Sequence, residues 1–128
     1  FEDCRVLSEM LDLYKNDYAK CFHEFSLIRK PEGDGLQDLS LHNFVVMRDK
    51  TADSNFLLQK KIEQKFSKLF PEKWLPLYSM VSFSNIKYSK AWEVGQKQEQ
   101  IMSKIMQMPN IQSVWNDDIV INKILEEI

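Results

Sequence analysis

Glycine and proline are scarce: the 128 residues include 3 Gly and 4 Pro. Sandwiches and barrels need many Gly-rich turns, so an all-β fold is disfavoured. Gly33 and Gly35 lie close together and Gly95 lies far from both, so no phosphate-cradling glycine loop can be assembled. Nucleotide chemistry would have to take its phosphate site from elsewhere. The 2 cysteines do not make a disulfide framework. There is no basic excess either: Lys+Arg number 17, Asp+Glu 19, and the net charge is −2. An electrostatic grip on nucleic acid is therefore not expected. No run approaches the roughly 18 apolar residues of a membrane span. Glu2, Asp3 and Arg5 stand where a signal peptide would have its apolar core. His23 and His42 have no partners at metal-ligand spacing. Glu2 and Asp3 are adjacent, so on a helix they diverge by about 100° and form no close carboxylate pair. There is no nucleophile elbow and no Cys–His signature.

What is present is 44% hydrophobic and 28% charged residues, the composition of one soluble globular domain. Phe1, Cys4, Leu7, Leu11, Tyr14, Tyr18, Cys21, Phe22 and Phe25 recur at three- and four-residue spacing, which predicts one long helix over 1–28, ended by Pro31. At ~1.5 Å per residue such a helix is ~42 Å long, longer than the roughly 36 Å diameter of a compact domain of this size. Phe1 also opens it without a capping residue. Both features predict a chain that begins inside a larger protein. On that helix Cys4 and Cys21 would be ~25 Å apart, too far for a disulfide, and they read as small buried hydrophobes.

Residues 30–35, Lys-Pro-Glu-Gly-Asp-Gly, have the composition of a turn, with Asp34 placed to cap a helix over 36–50. Leu36, Leu39, Val46 and Met47 share one face of that helix, and Asn43 falls in its middle. A buried amide must be hydrogen-bonded. Asn43 is then either a core amide bonded to backbone or one reserved for a ligand. A helix over 53–70 carries Phe56, Leu58, Ile62, Phe66, Leu69 and Phe70 on one face and Lys60, Lys61, Lys65 and Lys68 on the other, a solvated face. Residues 71–88 place two prolines around Trp74 and are too apolar for an exposed loop, so they read as an irregular buried segment. Tyr78 is its candidate site residue, with an apolar ring and a polar tip. Beyond it, 89–107 and 111–128 read as amphipathic helices on either side of Pro109, with stripes of Ile101, Ile105 and Met108, then Ile121, Ile124, Leu125 and Ile128. Asp117 is placed to cap the last helix.

Three stretches carry a resemblance. Phe1-Glu2-Asp3-Cys4 resembles the end of a flavin-contacting segment. Asp38-Leu39-Ser40-Leu41-His42-Asn43-Phe44-Val45-Val46-Met47-Arg48 is similar to a substrate-facing helix. Pro76-Leu77-Tyr78-Ser79-Met80-Val81-Ser82-Phe83-Ser84 matches a third block almost residue for residue. Together they resemble the C-terminal part of the kynurenine 3-monooxygenase family of class A flavin-dependent aromatic hydroxylases. The resemblance covers 1–92 well and the remainder poorly. It implies an enzyme that uses FAD, NADPH and O2 to hydroxylate L-kynurenine to 3-hydroxykynurenine. It implies that Asn43 and Tyr78 bind the amino-acid end of the substrate and that Met47 lines the ring pocket. Asn43 and Met47 are i and i+4, so one helix face can present both.

The expected architecture is therefore all-α: amphipathic helices with one irregular buried segment at about 71–88, forming the C-terminal helical part of a larger α/β flavoprotein. Within the single unit 1–128, residues 1–28 would continue from a flavin-binding domain, 36–88 would face the substrate, and 89–128 would form C-terminal helices. The expected partners are L-kynurenine and the N-terminal flavin-binding part of the same protein. FAD and NADPH would be bound mostly there, with Phe1 and Glu2 near the flavin at most. No catalytic or metal-binding residue is assigned, and this part alone should be inert. The acidic tail predicts a soluble, cytoplasmic enzyme of bacterial type. Two alternatives stand beside this: a flavin hydroxylase of another aromatic substrate, and a stand-alone helical interaction module.

Overall fold

A computed structural model describes all 128 residues. The chain is helical throughout, without strands: α1 Glu2–Tyr14, α2 Tyr18–Val45, a π-helical turn Val46–Lys50, α3 Ser54–Leu69, α4 Leu77–Phe83, α5 Tyr88–Met106, α6 Ile111–Val114 and α7 Asp118–Glu127. No helix is long and apolar enough to cross a membrane.

The first helix departs from its expected course. The long helix over 1–28 is two helices, broken at Lys15, whose φ of 51° no continuous helix accommodates. The Asp17 carboxylate caps α2 by accepting from the Lys20 amide at 3.1 Å. Cys4 and Cys21 thus lie on separate helices; both are free, with Cys4 exposed and Cys21 buried.

The expected turn at 30–35 is instead the middle of α2, which runs through Pro31, Gly33 and Gly35. Proline inside a helix costs about 3 kcal/mol. Two contacts with α5 compensate. Glu32 is buried, and its carboxylate accepts from the Ser89 hydroxyl at 2.6 Å and the Ser89 amide at 3.3 Å. Gly35 lies against the backbone of Tyr88 and Ser89. Asp34, expected as a cap, pairs with Lys30 one turn back. The expected irregular segment 71–88 is also partly regular, because α4 lies within it, and only Trp74 and Met80 are buried there.

The core lies in the C-terminal half. Ile62, Phe66, Trp74, Met102, Ile105, Ile111, Val120, Ile121 and Ile124 form one cluster where α3, α5, α6 and α7 meet. The Trp74 and Phe66 rings meet edge to face at 5.6 Å, a geometry favoured by the ring quadrupoles. Asp117 sits at the cap position of α7 but makes no side-chain capping bond. In the N-terminal half, Met10 is the only buried residue of α1. Arg29 of α2 ties α1 down by pairing with Asp3 and, at 3.5 Å, with Glu2.

Candidate functional site

The π-helical end of α2, α3, α4 and α5 enclose a cavity of about 390 Å³. One end is apolar and carries the two substrate candidates. Leu36, Leu39 and Asn43 come from α2, and Leu77, Tyr78 and Val81 from α4. The other end is charged, with Lys50 from the π-helical turn, Lys60 and Glu63 from α3, and Glu99 from α5.

Asn43 and Tyr78 thus share one cavity although they come from different helices. Asn43 is exposed, so it is not a core amide. The stripe it interrupts is not the core face expected of it. Leu39 is buried, but Leu36 is 43% exposed and Met47 62%. Tyr78 is 71% exposed, and its ring meets Phe83 edge to face at 5.9 Å. Met47 does not line the cavity; it lies outside the lining, within the π-helical turn. Phe1 and Glu2 do not line it either. Phe1 is fully exposed at the start of α1, and Glu2 is turned to Arg29.

The charged end was not legible from spacing. The buried Gln59 amide nitrogen donates to Glu63 and to Glu99, each at 3.0 Å. Lys60 donates to Glu63 at 2.9 Å, and Lys50 stands 4.0 Å from Glu99. His42 is half-buried beside this network and meets Trp92 edge to face at 5.6 Å. Burial pushes the His42 imidazole below its ordinary value, and Lys50 and Lys60 add to the push while Glu99 opposes it. The cavity therefore offers an amide, a phenol and an apolar wall at one end and an internally balanced ion network at the other. That is equipment for holding a polar aromatic molecule. It contains no nucleophile poised beside a base.

The chain's residues do not fit a dinucleotide cofactor. All three glycines lie inside helices and none has a positive φ, so no glycine turn can cradle a phosphate. Groups of three or more His, Cys, Asp or Glu side chains placed to hold a metal ion are also absent.

No model of a known protein family matches the chain. Individual proteins do, and they define a class: the relatives are monooxygenases. More narrowly, they are kynurenine 3-monooxygenases, and the chain is homologous to one stretch of that enzyme. It is 48% identical over 126 residues to the protein of Flavobacterium johnsoniae and 46% identical over 125 residues to that of Christiangramia forsetii. Each of these matches takes in 98% of this chain and 28% of the relative. The Caenorhabditis elegans protein is 41% identical over 106 residues, covering 83% of this chain and 23% of the relative. The chain thus spans less than a third of the relatives it matches.

Proposed function

We propose that this chain is the substrate-capping segment of an FAD- and NADPH-dependent monooxygenase that converts L-kynurenine to 3-hydroxykynurenine. One observation carries the proposal beyond the similarity: Asn43 and Tyr78, distant in sequence, line one cavity with both side chains accessible. Its volume of about 390 Å³ falls in the range of small-molecule sites. In this role Asn43 and Tyr78 hydrogen-bond the charged amino-acid end of kynurenine, and Leu36 and Val81 pack on its ring. The reduced flavin supplies the activated oxygen and the nicotinamide supplies the hydride, both held by the remainder of the protein. This chain's share is to bind and orient the substrate and to keep water off it.

The surface around the cavity supports a partner of that kind. Leu36 of the cavity lining, and Phe44, Met47 and Phe83, each next in sequence to a lining residue, are all more than 40% exposed. Isolated apolar side chains on a surface are ordinary, but a band of aromatic and aliphatic groups beside a cavity marks an interface. We assign it to the flavin-binding part of the same protein. Under that cover Met47, one turn beyond Asn43, would reach the substrate ring.

The test uses the full-length protein with FAD, NADPH, O2 and L-kynurenine, with the product identified by mass spectrometry. Formation of 3-hydroxykynurenine is expected. NADPH oxidation stimulated by a different aromatic substrate and not by kynurenine would move the proposal to another hydroxylase. No stimulation by any aromatic substrate would leave the helical interaction module.

A further inference from the structure

We propose that Glu32 is a positioning residue for the cavity: from within α2 it anchors the start of α5 and so sets the placement of Asn43 against Tyr78. Glu32 does not line the cavity. The residue is 5% exposed, and its carboxylate accepts from both the hydroxyl and the amide of Ser89, 57 positions along the chain. Lys87, at the cap position of α5, makes no capping bond of its own, so Glu32 supplies the acceptor from another helix. The same contact is pressed close by Gly35, whose hydrogen faces the Ser89 backbone.

From Ser89 the placement is relayed to Tyr78 at both ends of α4. At its C-terminal end the Ser84 hydroxyl donates to the Met80 carbonyl and accepts from the Ile86 amide at 3.2 Å, leading directly into the anchored start of α5. At its N-terminal end Leu77, next to Tyr78, packs onto Gly95 of α5, where an added methyl group would stand 2.9 Å from Leu77 Cδ1. Asn43 rides on α2 two turns beyond Gly35. The two ligand-facing side chains are thus fixed relative to each other through α5, and Glu32–Ser89 is the buried, charge-assisted contact of an α2–α5 joint that also includes Gly35 and the His42–Trp92 ring pair. A carboxylate buried at that joint holds its geometry more narrowly than an apolar contact would, because hydrogen bonds to a charged acceptor are directional.

This inference rests on the proposed reaction, and its test separates the two. In the full-length enzyme, Glu32→Ala is expected to raise KM for L-kynurenine roughly tenfold while kcat changes by less than about twofold, the pattern of a binding site whose two ligand-facing side chains no longer grip the substrate together. Glu32→Gln keeps an oxygen for the Ser89 hydroxyl and is expected to recover most of that loss. Ile124→Val, in the core cluster away from the joint, serves as a comparator that lowers stability without moving KM. Hydrogen exchange over 77–83 gives a readout that needs no substrate. It should quicken at least roughly tenfold in Glu32→Ala and Ser89→Ala, and not in Ile124→Val. Unchanged exchange in α4 overturns the positioning role whatever the kinetics show. So does an equal rise in KM in Ile124→Val. Quickened exchange in a protein that does not hydroxylate kynurenine leaves the positioning role standing and refutes the reaction.

Discussion

Gly33 and Gly35 sit in the same helix and differ in what lies above them, so alanine at each should act with opposite sign. A methyl group on Gly33 meets nothing within 4 Å. One on Gly35 would stand 2.8 Å from Ser89 N, 2.9 Å from Ser89 Cα and 3.0 Å from the Tyr88 carbonyl carbon. Those are backbone atoms at the start of a helix and cannot rotate aside. Replacing a helical glycine by alanine gains about 0.8–1 kcal/mol at either position. Overpacking at Gly35 costs about 1–3 kcal/mol against that gain. Gly33→Ala should therefore stabilise by nearly 1 kcal/mol, and Gly35→Ala should lie about 1–3 kcal/mol below it. In a domain of this size the two midpoints would separate by about 4–12 °C. Thermal unfolding followed by far-ultraviolet circular dichroism reads this directly. Equal stabilisation by both substitutions would refute the close approach of α2 to α5 and the course of α2 through Pro31.

Asn43→Ala in the full-length enzyme should lower kcat/KM roughly 10- to 150-fold, the loss of a hydrogen bond to a charged ligand group worth ~1.5–3 kcal/mol. Because Asn43 is exposed, its unfolding midpoint should stay put, and a normal kcat/KM would sink the assignment. Phe66→Ala, fully buried against Trp74, should cost about 3–5 kcal/mol in denaturant unfolding. Acid should act in two stages. The folded protein resists protonation of His42, so that contribution is complete above the ordinary 6.5 and is lost as pH falls through the lowered His42 value. Burial raises the Glu32 carboxyl, but the Ser89 bonds, Lys87 and the Tyr88 amide outweigh it and hold the group below its ordinary 4.5. Its contribution is thus complete above 4.5 and is lost as pH falls through the depressed value. His42→Gln should remove the first stage of a stability–pH curve and leave the second.

The C-terminal helices were legible because their stripes meet their own core: Ile105, Ile121 and Ile124 are buried where periodicity puts them. The same logic failed on α2. Its stripe of Leu36, Leu39, Val46 and Met47 around Asn43 is just as regular, yet only Leu39 is buried: Leu36, Leu39, Asn43 and Val46 line a cavity and Met47 is exposed, because periodicity marks an apolar face and not whether that face packs on a core or lines a cavity. Local composition failed at 30–35, where contacts from Ser89 and Tyr88 override the turn tendency of Pro31, Gly33 and Gly35. The break at Lys15 had a signal in the Asn16–Asp17 pair, a natural capping sequence that the apolar spacing across it obscured. Asn43 and Tyr78 stood out as an amide in an apolar face and an amphipathic ring in an irregular segment, and only the resemblance joined them in one site; the structure has both lining one cavity. The network of Gln59, Glu63 and Glu99 was not found, because no local pattern joins α3 to α5.

The joint between α1 and α2 has a consequence for how the chain comes apart under attack. Lys15 holds φ 51° and ψ −109°, a conformation suited to glycine, while the Asp17 amide donates across it to the Tyr14 carbonyl at 3.0 Å. The residue is exposed and cationic, which makes the peptide bond after it a substrate for trypsin. With only Met10 buried in α1, opening this joint leaves the Ile62–Ile124 cluster intact. Brief digestion should nick the chain there first, and the fragment beginning at Asn16 should keep its folded core.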